Sequence, residues 1–391
     1  MACGCRRSRG SRSALGETRG HGTGLAALTP SDRPSVRPSL DQLPPSDPAA
    51  PLAPGVPSLG LNEGLHGPFP SALAAIERVV PELNRYPSRG SYDLVAALAA
   101  RHAVASSQVF VAAGADAVIG YVCQAVLDPR DEVVVAWPSF PSFVRDPQKR
   151  DAVPVTVPLS NGQVDLTALR AAVTPRTRLL FLATPNNPTG LATARDELIA
   201  FVRELPDHVL PVIDEAYFDY LSPVARLDSI EDLVRDGEDV LVLRTFSKLY
   251  GLAGLRVGYG VGPAAVVAGM RKVQRGYDVG ALAQVAALAS LDDVAEVERR
   301  RDANREAIRA LTAILRARGL EPLSGSMTNF VLVEVGVDAD ELAAALLRNG
   351  VAVQSGTPFG ASTSLRIGAG SSAELALLDT ALAAVLPVIA T

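Results

Sequence analysis

From residue 58 onward, two rhythms of apolar and polar positions alternate along the chain. Short apolar runs at 109–112, 131–136, 153–157, 178–183, 209–213, 240–243 and 257–261 read as buried strands. Between them the spacing turns helical. At 72–80, Leu73, Ile76 and Val79 fall on one face, and similar patterns cover 92–102, 114 to about 127, 166–172 and 197–204. Strands alternating with helices predict an α/β fold, a mainly parallel sheet flanked by helices.

After Gly262 the helical stretches lengthen, at 264–272, 282–291 and 294–318. The last is long and charged, as a helix bridging two domains would be. The pattern then resets, with strands at 329–335, 351–353 and 364–368 and helices at 340–348 and 373–385. This predicts a small α+β C-terminal domain. The expected organisation is an extension at 1–57, an arm and helix at 58–80, a large domain at 81–290 and a small domain, bridging helix included, at 291–391.

Composition changes the picture mainly at the N-terminus. Residues 1–57 are rich in Arg, Ser, Gly and Pro and lack an apolar face, so disorder is expected there. The Arg-rich start loosely resembles a transit peptide, but it has no apolar core of a secretory signal. The whole chain of 391 residues carries a net charge of −5, with an isoelectric point near 5.5. That balance points away from nucleic acid and anionic membranes. Charged residues interrupt every long apolar run, so no bilayer-crossing segment is expected. Three cysteines cannot build a disulfide framework and suit a reducing cytoplasm. Cys3-Gly4-Cys5 has no further ligands nearby, and no metal is expected.

The candidate chemistry gathers at the predicted strand ends, where open α/β sheets bind their ligands. Gly114-Ala115-Asp116 closes one strand and opens a helix, leaving backbone N–H groups for an anion. Phe140 follows the next strand with a ring suited to stacking. Asn187 lies in the turn Pro185-Asn186-Asn187-Pro188-Thr189-Gly190, and Asp214-Glu215-Ala216-Tyr217 follows a third strand. Arg244-Thr245-Phe246-Ser247-Lys248 then leads through a glycine-broken loop to Arg256. An amine beside hydroxyls and a guanidinium is what a phosphorylated carbonyl cofactor needs. Each motif alone has a plainer reading, as a helix cap, a core ring or a turn. Their recurrence at successive strand ends is what chance explains poorly.

These motifs carry a resemblance. The chain from about Leu59 is similar to fold-type I pyridoxal-phosphate aminotransferases, and within them most to the histidinol-phosphate aminotransferases. Leu61-Asn62-Glu63 with Gly67-Pro68 resembles the family's arm, Asn84-Arg85-Tyr86-Pro87 its Tyr-Pro loop, and Leu365-Arg366-Ile367 its substrate-arginine motif. The resemblance implies pyridoxal 5'-phosphate as cofactor, with Lys248 forming the Schiff base and shuttling the proton. It implies Asp214 on the pyridine nitrogen, Asn187 and Tyr217 on the phenolic oxygen, and Phe140 on the ring. Ala115, Asp116, Thr245, Ser247 and Arg256 would hold the phosphate, joined by Tyr86 from the second subunit of a homodimer with shared active sites. Arg366 would take the anionic end of the substrate, with Asn62 and Gln354 beside it. The implied reaction is transfer from histidinol phosphate to 2-oxoglutarate.

Four positions depart from the family pattern. Ala117 stands where Glu is common and Phe140 where Tyr is common. Arg275-Gly276-Tyr277-Asp278-Val279 replaces an Asn-containing motif. Gln354 falls where the family carries a second substrate arginine, and Arg89 and Arg275 are candidates to replace its charge. The same motifs also suit an aminotransferase for aromatic or other amino acids, or a pyridoxal-phosphate decarboxylase of phospho-amino acids. A non-enzymatic regulator on this fold would need a helix-turn-helix that the extension does not provide. Gly258-Tyr259-Gly260-Val261-Gly262 lacks the spacing of a dinucleotide-binding loop.

Overall fold

The apolar runs become the strands of one twisted seven-stranded sheet in the computed structural model, which describes residues 36–37, 40–41, 43, 52–222 and 227–389. The elements all lie in the unit from Ser39 to Thr391. The extension expected to be disordered, with Cys3 and Cys5, falls almost wholly outside the described residues.

In chain order the elements begin with α1 (Pro70–Val79), α2 (Tyr92–His102), β1 (Val109–Ala112), α3 (Ala115–Val126), β2 (Glu132–Trp137), α4 (Ser142–Gln148) and β3 (Val153–Pro158). They continue with α5 (Leu166–Ala171), β4 (Thr177–Ala183), α6 (Arg195–Arg203), β5 (Leu210–Asp214), β6 (Leu241–Thr245) and β7 (Gly258–Val261). Three helices follow, α7 (Ala264–Val273), α8 (Ala281–Leu291) and the long α9 (Val294–Ala317). The chain ends with β8 (Phe330–Glu334), α10 (Ala339–Arg348), β9 (Gln354–Ser355), β10 (Ser364–Gly368) and α11 (Ser372–Ile389).

The large sheet runs β1-β7-β6-β5-β4-β2-β3; β7 is antiparallel to both its neighbours, β1 and β6, and the other pairs are parallel. Its central strands β4, β5 and β6 are mostly apolar and buried because both faces are covered, whereas the edge strand β3 is largely exposed or half-buried. Successive side chains point to opposite faces, so Ile213 and Val242 join one buried cluster while Val212, Leu241 and Leu243 join the other. Truncating such a side chain, Leu243→Ala for example, costs about 2–5 kcal/mol. A third cluster, with Leu311, Val333, Leu342, Ile367 and Leu378, lies around the antiparallel sheet β8-β10-β9.

Two local expectations are corrected. The short strand expected at 351–353 is displaced to β9, because the backbone at Ala352 is engaged by the N-terminal arm. Ala352 N–H donates to Pro57 O at 3.0 Å, and Leu59 N–H donates to Ala352 O at 2.9 Å. Gly368 N–H in turn donates to Leu59 O at 2.7 Å, so the arm is pinned between residue 352 and the end of β10. The segment after Phe140 forms α4, which the pattern did not predict, since its prolines Pro141 and Pro147 obscure the helical spacing.

Candidate active site

A cavity of about 350 Å³ opens at the carboxyl ends of the parallel strands. It lies in the size range of small-molecule sites. Sequence positions far apart converge on it: Asn62 from the arm, Ala115 and Asp116 at the start of α3, Phe140 after β2, Asn187 after β4, Asp214 and Tyr217 at β5. Thr245, Ser247, Lys248 and Arg256 come from β6 and the loop after it, and Gln354 and Arg366 from the small sheet.

One end of the cavity is built to hold an anion. Helix α3 starts at Ala115, so the N–H groups of Ala115 and Asp116 are among those the helix leaves without internal partners. Arg256 Nη1 donates to Ser247 Oγ at 3.4 Å, and Ser247 N–H donates to Thr245 Oγ1 at 3.1 Å. Gly114 has φ of +95°, and a Cβ there would lie 2.8 Å from Arg256 Nη2. Glycine therefore lets the guanidinium sit against the helix N-terminus. Asp116, exposed, takes a hydrogen bond from Ser142 Oγ.

The middle holds the titratable groups. Asp214 is buried at the end of β5, and its Oδ1 accepts the Ala216 N–H at 2.9 Å. Burial raises its pKa to about 6, opposed by that hydrogen bond and reinforced by Glu215. Lys248 is half-buried, with Nζ donating to Leu61 O at 3.2 Å and lying 5.9 Å from the centre of the Tyr217 ring. Burial lowers its pKa to about 8, helped by the Arg366 and Arg256 cations and opposed by Glu63 and Asp214. The buried Tyr217 hydroxyl accepts Asn62 Nδ2–H at 3.0 Å. Asn62 adopts φ of 55° and is tied down by Asn329, whose Nδ2 donates to Asn62 O at 3.1 Å and Glu63 O at 2.9 Å.

Arg366 forms the other end. It is 5% exposed, and its guanidinium carbon lies 4.8 Å from the Phe359 ring centre and 5.5 Å from that of Phe330. Nη1 donates to Asn187 Oδ1 at 2.6 Å and Nη2 donates to Gly60 O. Among the described residues no carboxylate pairs with it, and its Nε and the Asn62 Oδ1 are buried without a hydrogen-bond partner. A buried cation without a counter-ion is costly until an anion arrives. Gln354 Nε2 donates to Ser355 O at 2.9 Å.

Of the residues singled out from sequence for cofactor or substrate, Tyr86, Arg89 and Arg275 lie away from this cavity, and Tyr86 is the one expected at the cofactor phosphate. The Tyr86 side chain is exposed and stacks on Tyr277 with ring centres 4.6 Å apart. Arg89 and Arg275 line a different hollow, beside Tyr92 and Arg271. Sequence reasoning missed the apolar walls, Leu61, Ala183, Ala216, Pro358 and Phe359. Phe359 ends a single 3₁₀ turn, Thr357–Phe359, too short to show in the apolar pattern. Only the glycine after it hinted at a tight approach, since Gly360 has φ of +82° and a Cβ there would sit 2.6 Å from Trp137 Nε1.

The donors present fit pyridoxal phosphate: an anion cradle at a helix N-terminus, a primary amine of lowered pKa, and a buried carboxylate able to hold a protonated ring nitrogen. Among the described residues, no group of acidic, histidine or cysteine side chains is arranged to hold a metal ion, and no helix is long and apolar enough to cross a membrane.

Comparison with known proteins agrees with that chemistry. Residues 55–385 match the family model of aminotransferase class I and II. A histidinol-phosphate aminotransferase of Moorella thermoacetica is 37% identical over 313 residues, covering 80% of this chain and 81% of that protein. An aromatic amino acid aminotransferase of Mycobacterium bovis is 42% identical over 304 residues, covering 77% and 85%. Among solved structures, the histidinol-phosphate aminotransferase of Sinorhizobium meliloti in complex with pyridoxal-5'-phosphate superposes with a TM-score of 0.81 at 29% identity, covering 90% of this chain and 98% of that one. The matched span takes in every motif that builds the cavity, so the chain belongs to the class I and II aminotransferases and is a transaminase that works with pyridoxal phosphate.

Proposed function

We propose that this aminotransferase moves the amino group of an aromatic amino acid to a 2-oxo acid, with Lys248, Asp214 and Tyr217 as its catalytic side chains. When bound, pyridoxal phosphate supplies a carbonyl for the amine and a ring that withdraws electrons from the substrate's α-carbon. Lys248 Nζ, whose pKa burial lowers to about 8, takes the proton from that carbon. Asp214 keeps a proton on the ring nitrogen by offering it a buried carboxylate. Tyr217 accepts from Asn62, which leaves its own O–H to donate, and Asn187 turns its Oδ1 to Arg366, which leaves its N–H groups to donate. Both face the phenolic oxygen in this reading. Phe140 stacks on the ring. The N–H groups of Ala115 and Asp116, with Thr245, Ser247 and Arg256, hold the phosphate. Tyr86 projects from the surface, so its part requires a second copy of the chain, and a homodimer with shared sites belongs to the proposal.

The substrate class rests on one observation: among the described residues the cations lining the cavity are Lys248, Arg256 and Arg366, and with the first two given to the cofactor only Arg366, beside the apolar Phe359, is left for the substrate. One guanidinium balances one carboxylate. A phosphate of charge about −1.5 to −2 would keep part of its charge uncompensated in a desolvated site. Gln354 can give a hydrogen bond there but no charge. Histidinol phosphate is the second reading, favoured by the 37% identity to the Moorella thermoacetica protein.

The test compares kcat/KM for phenylalanine and histidinol phosphate in the wild type and in Gln354→Arg. We expect phenylalanine to be preferred by about tenfold or more, roughly 1.4 kcal/mol in the transition state, and the added arginine to improve histidinol phosphate by about tenfold. Preference for histidinol phosphate in the wild type, with no gain from the arginine, would mean that a substitute charge exists and that the second reading is correct.

A further inference from the structure

We propose that the buried ion pair Glu215–Arg244, with Asp228 as its second carboxylate, is a positioning clamp that sets Asp214 and the 245–248 segment for cofactor binding. Glu215 directly follows Asp214, and Arg244 directly precedes Thr245. The pairing of β5 with β6 ends at Asp214 opposite Leu243, and Glu215 N–H then donates to Leu243 O at 2.9 Å. Beyond that point the backbone ladder no longer joins the two segments that carry the acid and the lysine. The ion pair takes over there. Arg244 Nε and Nη2 donate to Glu215 Oε2 at 2.9 and 2.7 Å, and Nη2 also donates to Asp228 Oδ1 at 2.7 Å. Ser229 N–H donates to Glu215 Oε1 at 3.0 Å, and the guanidinium lies 3.4 Å above the Phe218 ring. The Arg244 and Glu215 side chains are 5% and 1% exposed.

None of these side chains lines the cavity, whereas Asp214 and Thr245 do. The neighbours along each segment therefore divide the work: one enters the site and the other locks behind it. Stability is a poor explanation for the lock, because a buried ion pair is often no better than apolar side chains of equal volume. A fork of directed hydrogen bonds instead fixes register and orientation, which packing leaves looser. The clamp also shapes the local field. Asp214 feels Glu215, Asp116 and Lys248, and Arg244 faces Asp219, Asp228 and the β7 residue Tyr259, whose hydroxyl is 3.0 Å from His102 Nε2 of α2.

The experiment uses full-length Glu215→Leu/Arg244→Met, which removes the pair while keeping the volume filled, and Arg244→Lys, which keeps the charge but not the fork. Pyridoxal phosphate affinity is read by quenching of intrinsic fluorescence. The pH midpoint of the bound cofactor's absorbance, thermal stability, and kcat and KM with phenylalanine and glutamate are also measured. For the double variant we expect a melting temperature close to wild type, about tenfold weaker cofactor binding, a displaced pH midpoint, and a loss in kcat that exceeds the change in KM. Arg244→Lys should show the same pattern at smaller size. Wild-type affinity and midpoint in a folded double variant would overturn the clamp. If the double variant does not fold, wild-type affinity and midpoint in Arg244→Lys would overturn it, and their loss at unchanged melting temperature would uphold it. These readouts hold for either amino donor, so failure of the substrate proposal leaves the result interpretable.

Discussion

At the scale of single residues, the site works by withholding water from a few charges. Lys248 is an amine whose pKa is lowered by burial and by the cations Arg366 and Arg256, so more of it is unprotonated near neutral pH. Attachment of pyridoxal phosphate to the cofactor-free chain should therefore speed up as pH rises through about 8. Replacing Arg366 with Leu removes a cation that holds the amine down, so the midpoint should move upward. Borohydride trapping of the Lys248 peptide, followed by mass spectrometry across pH, measures both, and a wild-type midpoint at the ordinary lysine value of 10.5 would contradict the account. Asp214 behaves in the opposite sense. Its folded pKa of about 6 lies above the ordinary 3.8, so the folded chain holds a proton that the unfolded chain releases between those values. Stability of the cofactor-free protein should fall as pH rises through that window, by on the order of 3 kcal/mol from this group. Cofactor-free Asp214→Asn should thus be the more stable protein above about pH 6 and should lose that advantage near pH 3.5, while binding pyridoxal phosphate poorly. Denaturant unfolding at the two pH values decides it, and equal stability of the two proteins at pH 7 would exclude the penalty.

At the scale of elements, loops do the placing and the strands supply the frame. The arm reaches the cavity because the backbone at 57–59 pairs with Ala352 and Gly368, and because Asn329 holds the carbonyls of Asn62 and Glu63. Asn329→Ala removes both side-chain donors and leaves buried carbonyls underused, a loss of about 1–3 kcal/mol. It should raise KM for the amino donor several-fold through loosening of Leu61 and Asn62, and steady-state kinetics with an unchanged KM would show that the arm is held without it. Gly114→Ala places a methyl group 2.8 Å from Arg256 Nη2 at a φ unsuited to alanine. Cofactor affinity should drop by about tenfold, with a stability loss of roughly 1–2 kcal/mol. Titration with pyridoxal phosphate checks the first figure and thermal unfolding the second. Not every element was readable beforehand. The apolar runs of β2, β4, β5 and β6 were, because burial on both faces demands continuous hydrophobicity. The helix α4 was not, because its prolines hide the period. Nor was the place of β9, because hydrogen bonding from a segment almost three hundred residues earlier in the chain fixes it.

At the scale of the whole molecule, the exposed aromatic residues Tyr86, Tyr92 and Tyr277 lie outside the cavity, as residues of a protein–protein contact would. In the proposed homodimer Tyr86 completes the neighbour's phosphate site. Mixed subunits of Lys248→Ala and Tyr86→Ala should then regain activity after exchange, since one of the two hybrid sites carries neither change. Chromatography and activity assays on the exchanged mixture test this. No recovery after proven exchange would place each site within one subunit.

The sequence by itself determined which reactive groups the chain carries and their order along it. A lysine, an acid, a tyrosine, hydroxyls and arginines stand at or just beyond the ends of apolar runs, a pattern that is local in the chain. It also determined the strand and helix alternation, since period-two and period-3.6 patterning are local properties of the chain. Only the tertiary structure decided what surrounds that chemistry. It brought Phe359 against Arg366, left Gln354 as the neutral neighbour of that cation, put Arg89 and Arg275 elsewhere, and locked Glu215 to Arg244 behind the site. Those relations join residues distant in the chain through packing and side-chain direction, and no local pattern encodes a contact whose two halves are specified independently.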